Sequence, residues 1–196
     1  MMEPGKENLV RFFQNSGKIN ATGAAEIARH FTEKEMDKNE YFLKEGRISN
    51  EYLLLEQGFM RAYSVDINGN EITTAFHNAN YPVFEVASFF NRTPSKENIQ
   101  ALTPCKGWVL TYDKLNMLFH ALPEFRDFGR AILVKGFATL KLRMLSMITE
   151  TAEERYAALL QSNPEIFQQA PLKFIASYLG ITDTSLSRIR KEMMKH

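Results

Sequence analysis

The residues best placed to do chemistry lie close to the C-terminus, in Ile181-Thr182-Asp183-Thr184-Ser185-Leu186-Ser187-Arg188-Ile189-Arg190-Lys191. If Leu186 and Ile189 turn inward on a helix, then Asp183, Thr184, Ser187, Arg188 and Lys191 are left outward, with Ser185 beside them. Short hydroxyls can pair with base edges, an arginine fork matches guanine O6 and N7, and lysines neutralise phosphates. Arg188 is the expected direct reader, with Thr184 and Ser187 tuning the neighbouring pairs. Lys173, Lys191 and Lys195 are expected on phosphates, and Ser185 completes the candidate DNA-binding set. Asp183 suits the positive end of a helix dipole rather than a base.

Other chemistries find less support. Metal-dependent chemistry of a cupin-like β-barrel enzyme needs clustered histidines and a carboxylate, whereas His30, His77, His120 and His196 are scattered. No Ser–His–Asp set or glycine-rich phosphate loop appears, so no catalytic and no metal-binding residue is expected. The cupin-like reading stays as the alternative, and a ligand-binding module without DNA function as a third.

The elements that must position the polar face come next. Ile175, Leu179, Ile181, Leu186 and Ile189 give two helices one shared apolar side. Ala176 is small where crossed helices touch, and Gly180 stands at the turn, where a positive φ is cheap for glycine. Pro171 suits the start of the first helix and Thr182 can cap the second. A helical hairpin with an apolar side is usually plain core packing. Here the small residue, turn, cap and spacing coincide as a helix-turn-helix. From Pro171 onward there are five lysines and arginines against two acids, while the whole chain carries only +1.

The chain has 196 residues and an ordinary globular composition. The single Cys105 excludes an intramolecular disulfide, and a buried structural thiol is its expected role. No signal-peptide pattern and no membrane-length apolar run is present, so a cytoplasmic location is expected. Residues 6–30 read as two short helices broken at Asn15-Ser16-Gly17. Strands are expected at 41–46, 51–58, 59–65, 71–77, 99–102 and 107–112, with an Asn-Gly hairpin turn at 66–70. Together these predict an all-β sandwich or roll within an α+β chain. A long helix begins at Leu122-Pro123-Glu124, where Leu133, Phe137, Leu140, Met144 and Met147 have the spacing of a two-helix seam. The expected division is 1–122 for the helices and β-roll, 123–150 for the long helix, and 151–196 for the DNA-binding unit.

This order of parts resembles the Crp/Fnr superfamily of cyclic-AMP receptor-like regulators. The resemblance rests on Asn39 to Gly46, on Tyr52 to Gly58 and, most specifically, on Ile175 to Arg190. It implies a cyclic-nucleotide-binding-like double-stranded β-helix, a long dimer helix through residues 123–149 and a helix-turn-helix lacking most of its wing. It further implies a homodimer on an inverted-repeat DNA operator, RNA polymerase as a protein partner, no membrane, and a cyclic nucleotide or other small anionic effector. The family's phosphate-binding cassette falls on Glu85, Val86, Ala87, Ser88, Ser95 and Lys96. Phe84 replaces its glycine, and Ser95 stands in place of the arginine that neutralises the cyclic phosphate. Lys96 offers charge but no planar fork, so cyclic AMP is expected to bind weakly or not at all. In the recognition helix Thr184 replaces the family's usual glutamate, which implies a different operator at that position.

Overall fold

The computed structural model describes residues 5–193. Two helices open the chain, α1 (Glu7–Asn15) and α2 (Ala21–Arg29), the second capped by the Asn20 side chain on Gly23 N. Eight strands follow: β1 (Thr32–Met36), β2 (Tyr41–Leu43), β3 (Glu51–Gln57), β4 (Met60–Val65), β5 (Glu71–His77), β6 (Tyr81–Val83), β7 (Asn98–Ala101) and β8 (Cys105–Thr111). They form two four-stranded antiparallel sheets, in the orders β1-β8-β3-β6 and β2-β7-β4-β5. The helix α3 (Val86–Asn91) interrupts the strands, and α4 (Tyr112–Ala121) follows them. The long helix is α5 (Pro123–Thr149), followed by α6 (Ala152–Ser162), α7 (Ile166–Gln169), α8 (Leu172–Leu179) and α9 (Asp183–Met193).

The roll and the long helix match the expected architecture, while β1, β6, α3, α4 and α7 were not anticipated. β1 reads Thr-Glu-Lys-Glu-Met, a charged edge strand whose solvent-facing residues hide its period. The others are short or, in α4, overlap the end of an expected strand. The run Tyr52-Leu53-Leu54-Leu55 shows no alternation because β3 is covered on both faces. Leu53 and Leu55 enter the core between the sheets with Met60, Ala62, Val83 and Ile99. Tyr52 and Leu54 face the other way, toward Phe13, Phe31, Phe89 and Phe125 beneath the N-terminal helices and the start of α5. Fully burying one such large apolar side chain contributes about 1.5–3 kcal/mol, so this second core fixes α5 firmly at its first turns. Cys105 is buried in the core between the sheets, and burial pushes its thiol pKa up.

Two turns set the frame. Asp66 Oδ1 accepts from Asn68 N and Asn70 N, each at 2.8 Å, with Gly69 at φ +84°. This is the Asn-Gly hairpin turn joining β4 to β5. Gly58 joins β3 to β4 at φ +99°, and a Cβ there would lie 2.5 Å from the Pro104 carbonyl.

A third core belongs to the C-terminal helices. Tyr156, Leu159, Ile175, Ala176, Leu179, Leu186 and Ile189 pack together and extend onto Phe59 and Leu102 of the roll. The α8–α9 pair is thereby seated on the outer face of the β2-β7-β4-β5 sheet.

Candidate functional site

The helix-turn-helix is built as its residue types require. Gly180 closes α8 at φ +69°, with Ile181 N donating to Ala176 O at 3.0 Å and Gly180 N to Ser177 O at 3.1 Å, a Schellman end. Ala176 is fully buried at the crossing. Thr182 caps α9, its Oγ1 accepting from Ser185 N at 3.2 Å. A Cβ on Gly180 would approach Met147 Cε to 2.5 Å, so the turn also rests on the long helix.

With Leu186 and Ile189 buried, α9 exposes Thr184, Ser187, Arg188 and Lys191 on its free side. No ion pair among the described residues engages Arg188 or Lys191. Ser185 is different: it is half-buried and its hydroxyl is paired with that of Thr182 at 3.0 Å, a capping contact. Lys173 is exposed on α8, its ammonium 4.9 Å from the Phe174 ring centroid. Lys195 and His196 lie outside the described residues.

Three arginines that sequence reading passed over hold α8 in place. Arg61 on β4 is 2% exposed and lies between the rings of Tyr63 and Phe174, at 4.0 and 3.5 Å from their centroids. Its Nη2 donates to Glu71 at 2.6 Å and to Gln100 at 3.2 Å. Arg143 of α5 donates to Thr74 O at 2.6 Å and Tyr178 O at 3.0 Å. Arg155 of α6 donates twice to Leu179 O, at 3.2 and 3.0 Å. Carbonyls at a helix C-terminus lack internal partners and carry partial negative charge, which these guanidiniums satisfy. Ser177 adds a polar lock, accepting from Thr73 N at 2.6 Å and donating to Glu71 O at 3.2 Å. The signal for Arg61 was present in the sequence as a charge inside an otherwise apolar strand.

The cassette region is arranged differently. The Glu85 carboxylate caps α3, accepting from Ala87 N at 3.0 Å and Ser88 N at 2.6 Å. Ser88 Oγ donates to Thr93 O at 2.6 Å and accepts from Ser49 N at 2.9 Å. Ser95 is 3% exposed, and its Oγ both donates to Glu97 O and accepts from Glu97 N. Val86, Ala87 and Lys96 are exposed, the backbone carbonyl of Lys96 accepting from Ser64 Oγ. Glu97 was not singled out from the sequence. Burial raises its pKa, Glu85 adding to this while Thr74 and Arg143 oppose it.

The seam of α5 is left open within the chain. Phe137 is 70% exposed and Leu140 63%, with Leu133, Met144 and Met147 also exposed, although Met147 touches the Gly180 turn. Of this helix only Phe125 and Phe128 are buried. Among the described residues no group of three or more His, Cys, Asp or Glu is placed to hold a metal ion. Among the described residues no helix is long and apolar enough to cross a membrane.

Comparison with known proteins agrees with this geometry. Residues 33–121 match the cyclic nucleotide-binding domain family. The fumarate and nitrate reduction regulatory protein of Vibrio cholerae is 26% identical over 173 residues, covering 83% of this chain and 68% of its own. Among solved structures, FixK2 from Bradyrhizobium japonicum superposes with a TM-score of 0.73 at 18% identity, over 84% of this chain and 85% of its own. A Crp/Fnr-family transcriptional regulator from Eubacterium rectale gives 0.72 at 15% identity, over 94% and 88%.

Proposed function

We propose that the chain, which resembles Crp/Fnr regulators in its cyclic nucleotide-binding domain and in its Vibrio cholerae relative, controls transcription as a homodimer that binds an inverted-repeat DNA operator through α9. The division into a sensory unit (1–122), a dimer helix (123–150) and a DNA-binding unit (151–196) is part of this reading. The observation that carries it is the contrast across α9. Its apolar side is buried in the third core, while Thr184, Ser187 and Arg188 stand free on the other side. An exposed arginine flanked by hydroxyls on a rigidly seated helix offers the donors and acceptors that major-groove readout uses. Lys173 and Lys191 suit phosphates by their exposure, and Lys195 by its position in the basic tail.

The partner helix is the second copy's α5. An apolar stripe of this length exposed to water is costly, and a two-fold related helix covers it with like residues. The paired recognition helices then meet successive major grooves, about one helical turn or roughly 34 Å apart. RNA polymerase is the expected further partner of a bound regulator. The chemistry of the cassette supports little affinity for cyclic AMP: where an arginine would neutralise the phosphate, Ser95 is buried and bonded to its own loop.

Selection of bound sites from random DNA tests the reading. An inverted repeat should emerge, and Arg188→Ala should erase preference at one base pair in each half. Recovery of no enriched motif, or an unchanged motif with Arg188→Ala, would overturn it.

A further inference from the structure

A cavity of about 450 Å³ opens where the roll, the long helix and the DNA-binding unit meet. It shares no residue with the cassette. Its volume is within the range of small-molecule sites. The roll supplies Phe59 and Phe76, stacked with centroids 5.6 Å apart and 22° between planes, together with Tyr81 and Asn78. The DNA-binding unit supplies Tyr178, whose ring is 5.2 Å from that of Phe76, and Glu165 from the α6–α7 connection. The long helix supplies Lys135 and Thr139.

Aromatic rings and polar side chains share the walls, and the two charged groups, Lys135 and Glu165, are of opposite sign. Lys135 makes no ion pair among the described residues, so its ammonium is available to an anion. Across the cavity, Glu165 meets Asn78 Nδ2 at 3.4 Å, a long contact that leaves carboxylate lone pairs for a second donor. His77 stands between the lining residues Phe76 and Asn78, and its buried Nδ1 has no hydrogen-bond partner. Lys135, Thr139 and Arg143 follow one another at helical i, i+4 spacing, on a different side of α5 from the Phe137–Leu140–Met144 stripe. Arg143 bonds both the roll and α8. The cavity therefore belongs to the face of the long helix that turns toward its own chain.

We propose that this junction is an effector site for a small aromatic carboxylate bearing a ring N–H or amine, packed against the half-buried Phe76 and Tyr178 with its carboxylate on Lys135 and its donor on Glu165. The proposal rests on the reading of the chain as a DNA-binding regulator only for its consequence. A ligand touching all three parts has an affinity that depends on how they are placed. Linkage then requires operator binding and ligand binding to change one another by the same factor.

Calorimetry on the full chain with anthranilate and indole-3-carboxylate, against benzyl alcohol, benzylamine and cyclic AMP, is the test. The two acids should bind, and the neutral, cationic and nucleotide controls should not. Lys135→Ala, a change at an exposed position, should weaken the acids at least tenfold, whereas Lys96→Ala in the cassette should leave them unchanged. Failure of both acids to bind, or binding that survives Lys135→Ala, overturns the site while leaving the DNA reading intact. Binding that is lost with Lys135→Ala yet leaves operator affinity the same with and without ligand upholds the pocket and overturns its role as an effector site. Loss of operator binding with no ligand present is instead a failure of the DNA reading.

Discussion

The outward face of α9 and the cassette from Phe84 to Asn98 are both polar loops-and-helix surfaces, yet their polar atoms have opposite fates. On α9 Arg188, Lys191, Thr184 and Ser187 make no side-chain hydrogen bond or ion pair among the described residues, while the helix beneath them is held by buried packing and a capped start. In the cassette the side chains at the family's binding positions close bonds inside their own loop: Glu85 as a cap, Ser88 on Thr93, and Ser95 on Glu97. A surface that awaits a partner keeps donors free and the scaffold rigid. A surface whose donors are already satisfied must break bonds before it can bind anything, which costs roughly what each bond contributes.

Breaking the assembly should have the largest effect. Leu140→Asp places a charge on the exposed stripe of α5, which a partner helix would bury without compensation. Sedimentation should show a dimer for the parent at micromolar concentration and a monomer for the variant, with operator affinity falling by more than a hundredfold. A monomeric parent would remove the proposed geometry.

Arg188→Ala comes next, costing about 1–3 kcal/mol per half-site and relaxing specificity at one position. Lys191→Ala should instead weaken all sequences alike and flatten the dependence of affinity on salt. Titrations on the selected operator and on a scrambled one separate the two.

Arg61→Met should destabilise the seat of α8 by about 1–3 kcal/mol, since Glu71 loses its 2.6 Å partner and the Tyr63 and Phe174 rings lose the cation between them. Urea denaturation reads this. On the cassette side, Glu85→Ala removes a two-bond cap and should cost about 1 kcal/mol. It should leave operator affinity unchanged, which would sharpen the contrast drawn above.

A separate effect concerns pH. Burial lowers the His77 pKa from 6.5 to about 4. Between those values the unfolded chain binds a proton that the folded chain does not, so stability falls as pH drops through this window. Glu97, raised above 4.5 by burial, works in the opposite direction, favouring the folded state at its acid end. Denaturation curves for the parent and His77→Gln between pH 4 and 7 isolate the histidine: the variant should show the shallower fall.

How much of this was legible in the sequence follows from the range of the forces involved. Gly180, Thr182, Leu186 and Ile189 announce the helix pair because a turn, a cap and an apolar period are local. The hairpin at Asn68-Gly69 and the start of α5 at Pro123 are local for the same reason. β3 was legible as a strand but not as one covered twice, since that depends on what the N-terminal helices bring over it. The seat of α8 was not legible. Arg61 and Phe174 are far apart in the chain, and nothing near either foretells that they stack. The fate of Ser95 was invisible as well, because substitution of an arginine reveals a lost charge but not where the new hydroxyl turns. The junction cavity, assembled from three separated segments, had no signature along the chain.

The contact between Gly180 and Met147 has a geometric consequence for the DNA itself. Within a dimer joined through α5, the long helix is the common ruler from which both recognition helices are measured, and the helix-turn-helix touches that ruler at its turn through a methionine tip. In the proposed dimer the spacing of the two half-sites should therefore depend on this contact together with the Arg143 bond from α5 to Tyr178 O. In the proposed assembly a bulkier or shorter residue at 147 should alter the preferred operator spacing without touching any base-reading atom, whereas Arg188→Ala should alter the preferred sequence.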